Sequence, residues 1–163
     1  LLENLEIDPQ HLQSYKLLGD VYTRVGDLEN ALLWYENAVK LNSNYDKAYY
    51  SMGKTYINLG NFNEAEVALK NATTVNPEYS KAYESLGYIY SSREDYKSAV
   101  DNYLLAIKYD SKGHDAYSRL ASAYNALEMF TGARDAAKKS IDLKKKNAGA
   151  AYELGVAEKG LGF

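Results

Sequence analysis

The sequence has no cysteine, so disulfides and thiol chemistry are excluded from whatever it does, although the compartment stays open. Histidine is nearly as scarce. His11 and His114 stand far apart and neither has a second ligand at metal spacing, so both read as exposed turn residues. No apolar run approaches the length of a membrane span. With a formal charge of -3 and a pI near 5.5, nothing suggests bulk attraction to nucleic acid or to an anionic membrane. No nucleophile motif, phosphate-cradling glycine loop or dinucleotide fingerprint is present. Glu94-Asp95 and the pair Glu64 and Glu66 offer carboxylates, but acid–base catalysis needs them converging in a closed pocket, and solvated helix ends explain them better. The expectation is a protein that is not an enzyme, with no catalytic residues, no metal and no cofactor. A cytoplasmic location is only the default.

What the chain does have is tyrosine, seventeen of them, in a composition that is otherwise that of an ordinary single domain. Twelve fall on a regular grid, because the chain repeats every thirty-four residues. The full frames run 12–45, 46–79, 80–113 and 114–147, with partial frames at 1–11 and 148–163. Within a frame two amphipathic stretches, as at 46–59 and 62–75, carry apolar or small residues on one helical stripe. Gly60-Asn61 separates them and Asn76-Pro77 ends the second. Each unit is predicted to be a helical hairpin that needs stacked neighbours to bury both stripes.

Aligned by position in the unit, the frames agree closely. Position 4 is Tyr15, Tyr49, Tyr83, Tyr117; position 7 is Leu18, Met52, Leu86, Leu120; position 8 is Gly19, Gly53, Gly87, Ala121. Position 11 is Tyr22, Tyr56, Tyr90, Tyr124 and position 20 is Ala31, Ala65, Ala99, Ala133. Position 24 is Tyr35, Leu69, Tyr103, Ala137, and position 27 is Ala38, Ala72, Ala106, Ser140. This pattern resembles the tetratricopeptide repeat (TPR), and the strict spacing disfavours the pentatricopeptide and Sel1-like alternatives. The resemblance implies an all-α, right-handed superhelical solenoid of antiparallel helix-turn-helix hairpins, a single array over 1–163.

A glycine inside a helix costs about 1 kcal/mol relative to alanine, so Gly19, Gly53 and Gly87 are expected to permit close helix approach, facing Ala31, Ala65 and Ala99. The fourth unit departs furthest, with Ala121, Ala137 and Ser140 at signature positions and no proline at its end; it is expected to pack less tightly or to mark a change in the superhelix. Trp34 reads as inter-helix packing rather than as a partner anchor. Leu1, Asn4 and Pro9 match the tail of a second helix, and 148–163 matches a first helix without its partner, so a piece of a longer array is expected. The lysines at 138–139 and 144–146 read as a helix end and a solvated turn, and Asn71-Ala72-Thr73 lies inside a predicted helix, against a role as glycosylation acceptor.

In the resembled family the concave wall is built by positions 2, 5, 6, 9, 12 and 13 of the first helices, which share one helix face. Here the candidate groove residues are Lys16, Asp20, Lys47, Tyr50, Lys54, Asn58, Lys81, Glu84, Tyr88, Arg119, Asn125 and Tyr152. Tyr50, Tyr88 and Tyr152 are tyrosines that no signature position demands, and tyrosine offers contact area at low entropic cost. Across the wall Lys16, Arg24, Lys47, Lys54, Lys81 and Arg119 outnumber Asp20, Glu84 and Asp115, so an extended segment carrying carboxylates fits. The family's two-carboxylate clamp for chaperone tails is not matched, since Asp20 and Ser51 stand where asparagines belong and Lys81 stands alone. The asparagine ladder of sugar-transferase arrays is absent as well. The expected function is a protein–protein interaction scaffold binding a peptide or protein segment in the groove. Two alternatives are the substrate-recruiting arm of a larger enzyme or secretion machine, and an array that self-associates end to end.

Overall fold

The computed structural model describes residues 11–163; the predicted helix tail holding Leu1, Asn4 and Pro9 lies outside the described residues. The chain divides into two compact units, one ending at Pro77 and the other running Glu78–Phe163. Among the described residues the first unit contains α1 (Leu12–Val25), α2 (Leu28–Leu41), α3 (Asp46–Asn58) and α4 (Phe62–Val75). The second contains α5 (Ser80–Ser92), α6 (Tyr96–Tyr109), α7 (His114–Ala126), α8 (Phe130–Leu143) and α9 (Ala148–Gly160). There is no strand among these residues, and no helix is long and apolar enough to cross a membrane.

The hairpin turns need one left-handed residue each. Gly26 and Gly60 supply it at φ 87° and 78°, but Glu94 and Glu128 take the same place at φ 61° and 57°. An L-residue there costs about 1–2 kcal/mol, partly balanced by the roughly 0.5–1 kcal/mol that glycine loses in chain entropy on folding. Glu94→Gly and Glu128→Gly are each expected to stabilise the protein by about 0.5–1 kcal/mol. A rise in urea midpoint at unchanged slope would register it.

The second helices stop at the same register whether or not proline follows. Asn42, Asn76, Asp110 and Lys144 all leave the helix in an extended conformation, φ between -143° and -129°. Pro77 favours that at Asn76. Side chains achieve it elsewhere: Asn42 Oδ1 accepts from the Asn44 amide at 2.8 Å and Asp110 Oδ1 from Lys112 at 3.0 Å, the turns that short polar side chains make with their own backbone. In the fourth unit Lys144 is extended with neither a proline nor such a side-chain turn, and the helix still ends at the same register. Asp27, Asp95 and Asn147 cap the helices that follow them by accepting from the amides of Asn30, Ser98 and Ala150, each at 3.2 Å.

The core is made of small residues at helix crossings and a few large ones between them. Ala31, Ala65, Ala99 and Ala133 at position 20 are fully buried. So, within 2%, are Ala48, Ala82, Ala116 and Ala150 at position 3, a buried position that the sequence comparison did not single out. The role predicted for the position 8 glycines needs correction. A Cβ on Gly19 or Gly87 would stand 2.4 or 2.5 Å from the ring of Tyr35 or Tyr103, and one on Gly53 2.6 Å from Leu69. Each glycine makes room for the large side chain at position 24, not chiefly for the alanine at position 20. In the fourth hairpin the exchange runs the other way, with Ala121 opposite Ala137, both fully buried. With no ring at position 24, position 8 has room for the Cβ that the glycines of the other hairpins lack.

The two histidines also differ from expectation. Both are half-buried: His11 Nδ1 lies 2.8 Å from Ser14 Oγ, and the His114 carbonyl accepts from Ser140 Oγ at 2.7 Å. His11 immediately precedes α1 and His114 opens α7.

Candidate functional site

The twelve candidate groove residues sit on the first helices of the hairpins, and none is buried. In the first unit, α1 contributes Lys16 and Asp20, and α3 contributes Lys47, Tyr50, Lys54 and Asn58. Asp20 is the most engaged of them. One carboxylate oxygen accepts from Lys16 Nζ at 2.6 Å and the other from the Tyr35 hydroxyl at 2.9 Å. The Thr23 hydroxyl lies 3.1 Å from the same phenol oxygen. Tyr35 belongs to a second helix, but its ring crosses above Gly19 and delivers the hydroxyl to the first-helix wall. A cavity of about 230 Å³ opens there, lined by Asp20, Thr23, Tyr35, Tyr50, Ser51, Lys54 and Thr55.

Burial pushes the Tyr35 phenol from 10.0 up to about 12; the Asp20 carboxylate adds to the rise and the Thr23 hydroxyl opposes it. The folded value lies above the unfolded one, so the stabilisation is fully present below about pH 10 and is lost as pH climbs through about 12. Helical circular dichroism followed from pH 9 to 12.5 is expected to fall more steeply in the parent chain than in Tyr35→Phe, which lacks the ionising group.

In the second unit, α5 carries Lys81, Glu84 and Tyr88, α7 carries Arg119 and Asn125, and α9 carries Tyr152. Arg119 joins two of these helices: its Nε is 3.3 Å from Glu84 Oε1 and its guanidinium carbon 5.3 Å from the Tyr88 ring centroid. The repeat logic of the first unit returns, since the Tyr103 hydroxyl lies 3.3 Å from Ser91 Oγ. Burial raises the Tyr103 phenol pKa, with Ser91 and Arg119 acting against the rise. Another cavity, about 290 Å³ and polar, is lined by Asp115, Ser118, Arg119, Ser122 and Glu153. Asn125 has a different task from the one its position suggests. Its Nδ2 donates to both the backbone carbonyl and the carboxylate of Glu153, at 2.9 and 2.8 Å, and ties α7 to α9. Tyr152 stands 70% exposed.

Charge on the wall is therefore unevenly available. Lys16 and Arg119 are each matched by a carboxylate, whereas Lys47, Lys54 and Lys81 are exposed and make no ion pair among the described residues. The sequence comparison missed the phenols of Tyr35 and Tyr103 as wall residues; the signal was the co-occurrence of glycine at 8 with tyrosine at 24. No group of three or more His, Cys, Asp or Glu among the described residues could hold a metal ion.

Family profiles described as TPR repeat or tetratricopeptide repeat match residues 19–60, 46–79, 80–112 and 114–147. The chain belongs to the tetratricopeptide repeat family. Its fold is accordingly an all-α TPR solenoid, and the repeats make it a protein-interaction scaffold, a class whose members bind protein or peptide partners. Among solved structures, a MamA protein is similar at TM-score 0.84 and 27% identity over 93% of this chain and 82% of that one. A second MamA structure gives 0.82 and 28%, over 89% and 85%. YrrB, described as a TPR protein with an unusual peptide-binding site, gives 0.84 at 22% identity over 97% and 81%, a likeness of fold. A comparison with curated protein sequences gives no significant match.

Proposed function

We propose that this TPR chain binds an extended protein segment on the first-helix face of each unit, with Tyr50 and Lys54 as contacts in the first unit and Tyr88 and Arg119 in the second. One observation supports this above the others: Lys54, exposed and without an ion pair among the described residues, lines a cavity together with Tyr50 and the Tyr35 hydroxyl that Asp20 holds in place. Hydroxyls held in place by Asp20 and Thr23 suit the amide and carbonyl groups of a bound backbone, at little ordering cost. Lys47, Lys54 and Lys81 favour a segment that brings carboxylates, while the pairs Lys16–Asp20 and Glu84–Arg119 tie wall residues to one another. YrrB, which shares the fold, is described as having a peptide-binding site.

The test is capture from a lysate read by mass spectrometry, comparing the parent with Tyr50→Ala/Lys54→Glu and with Tyr88→Ala/Arg119→Glu. Each pair is expected to reduce capture of a common partner by at least about tenfold. Capture is also expected to weaken as salt rises from about 0.1 to 0.5 M, because the charges involved are exposed. If both variants, folded by circular dichroism, capture what the parent captures at every salt concentration, this wall is not the binding surface.

A further inference from the structure

The first hairpin fills a space that the second leaves empty. At position 23 the first carries Trp34, whose indole lies between the rings of Tyr15 and Tyr22 with centroids 5.8 and 6.5 Å away. The equivalent residue of the second hairpin is Ala68, and beside it an apolar slot of about 370 Å³ opens. Its walls include Tyr49 and Tyr56, the counterparts of Tyr15 and Tyr22, together with Met52 and Val67. The fourth hairpin also has alanine there, Ala136, but it differs in having glycine, Gly132, where the second has Glu64, with the Tyr124 ring 3.2 Å from where a Cβ on Gly132 would stand. At 100° per residue, Tyr49, Met52 and Tyr56 are centred about half a turn around α3 from Tyr50, Ser51 and Lys54. The slot therefore lies on a different face from the wall discussed above and goes beyond that reading.

Shape and chemistry together name an occupant. Two tyrosine rings and a thioether favour a flat aromatic group, through ring-edge and sulfur–aromatic contacts, and the chain's own first hairpin places an indole in the corresponding setting. The rim is acidic: Glu64 is exposed at the slot, and Glu36 meets only Lys40 Nζ, at 4.0 Å. Both carboxylates are close enough to Tyr56 to raise its phenol pKa, second to burial itself. We propose that the slot beside Ala68 receives the tryptophan side chain of a partner polypeptide, presented next to a lysine or arginine that meets Glu64 and Glu36.

The test uses the whole chain, isotope-labelled and titrated with three blocked peptides, Gly-Lys-Trp-Lys-Gly, Gly-Lys-Ala-Lys-Gly and Gly-Glu-Trp-Glu-Gly. The first is expected to shift the amides of Val67 and Ala68 and the Met52 methyl, with the other two binding at least about tenfold more weakly. Ala68→Trp, which supplies the indole from within as Trp34 does, is expected to abolish the response. Glu64→Lys, an exposed change that keeps the test decisive if Ala68→Trp does not fold, is expected to weaken the lysine peptide at least threefold and favour the glutamate peptide. The proposal is overturned if no peptide binds at millimolar concentration, or if the alanine peptide produces the same shifts. It is equally overturned if the shifts fall at Tyr50 and Lys54, or if Glu64→Lys or folded Ala68→Trp binds like the parent.

Discussion

Gly87→Ala is expected to destabilise the protein by about 1–3 kcal/mol, although in an isolated helix the same change would stabilise it by about 1 kcal/mol. The new Cβ would stand 2.5 Å from Tyr103 Cε1, and the Tyr103 side chain, 1% exposed, has no space to retreat into. Tyr103→Ala alone is expected to cost about 3–5 kcal/mol, as large aromatic truncations in a core do. In that background the sign of Gly87→Ala should reverse, because the clash is gone and only the helix preference remains. The double-mutant cycle is thus expected to show a coupling of about 2–4 kcal/mol, measured as differences in urea unfolding free energy. Independent effects of the two changes would mean that close approach to Ala99, and not room for Tyr103, is what the glycine provides. The fourth hairpin already carries the double replacement, Ala121 with Ala137, and both residues are fully buried there.

Ser140→Ala is expected to cost about 2–4 kcal/mol, far more than a buried serine usually contributes, because its hydroxyl has two partners that would both be stranded. Ser140 Oγ is fully buried; it donates to the His114 carbonyl at 2.7 Å and accepts from Asn147 Nδ2 at 2.9 Å. Asn147 in turn caps α9 through the Ala150 amide. One hydroxyl therefore links the start of α7, the last turns of α8 and the entry to α9. Hydrogen exchange should report the loss at the α9 amides first, since the cap is released there. The third hairpin supplies the control. There the same two positions exchange roles, Ser80 Oγ at position 1 donating to the Ala106 carbonyl at position 27, at 2.9 Å. Ser80→Ala breaks a single bond at a half-buried site and is expected to cost about 1 kcal/mol. Equal costs for the two serines would remove the special role given to Ser140.

The repeat period, the hairpin boundaries, the buried alanines and the all-α class could be read from the sequence because they are local. Helical periodicity, turn residues and small-residue spacing act within a few residues of one another, and four copies in register average out the exceptions. Which positions share one side of a first helix was legible for the same reason. What each side chain does there was decided only by tertiary structure. Lys16 and Arg119 carry the same charge as Lys54 and Lys81, yet carboxylates at 2.6 and 3.3 Å occupy the first two. Asn125 fell on the groove list by position, and the fold uses it to hold Glu153. The phenols of Tyr35 and Tyr103 emerge on the wall of a neighbouring helix, and the place of Trp34 stands open at Ala68. These partnerships join residues that the alignment of repeats treats separately, often on different helices, and they depend on rotamers and on the space left by the residue opposite. A one-dimensional pattern fixes neither, whereas packing in three dimensions fixes both.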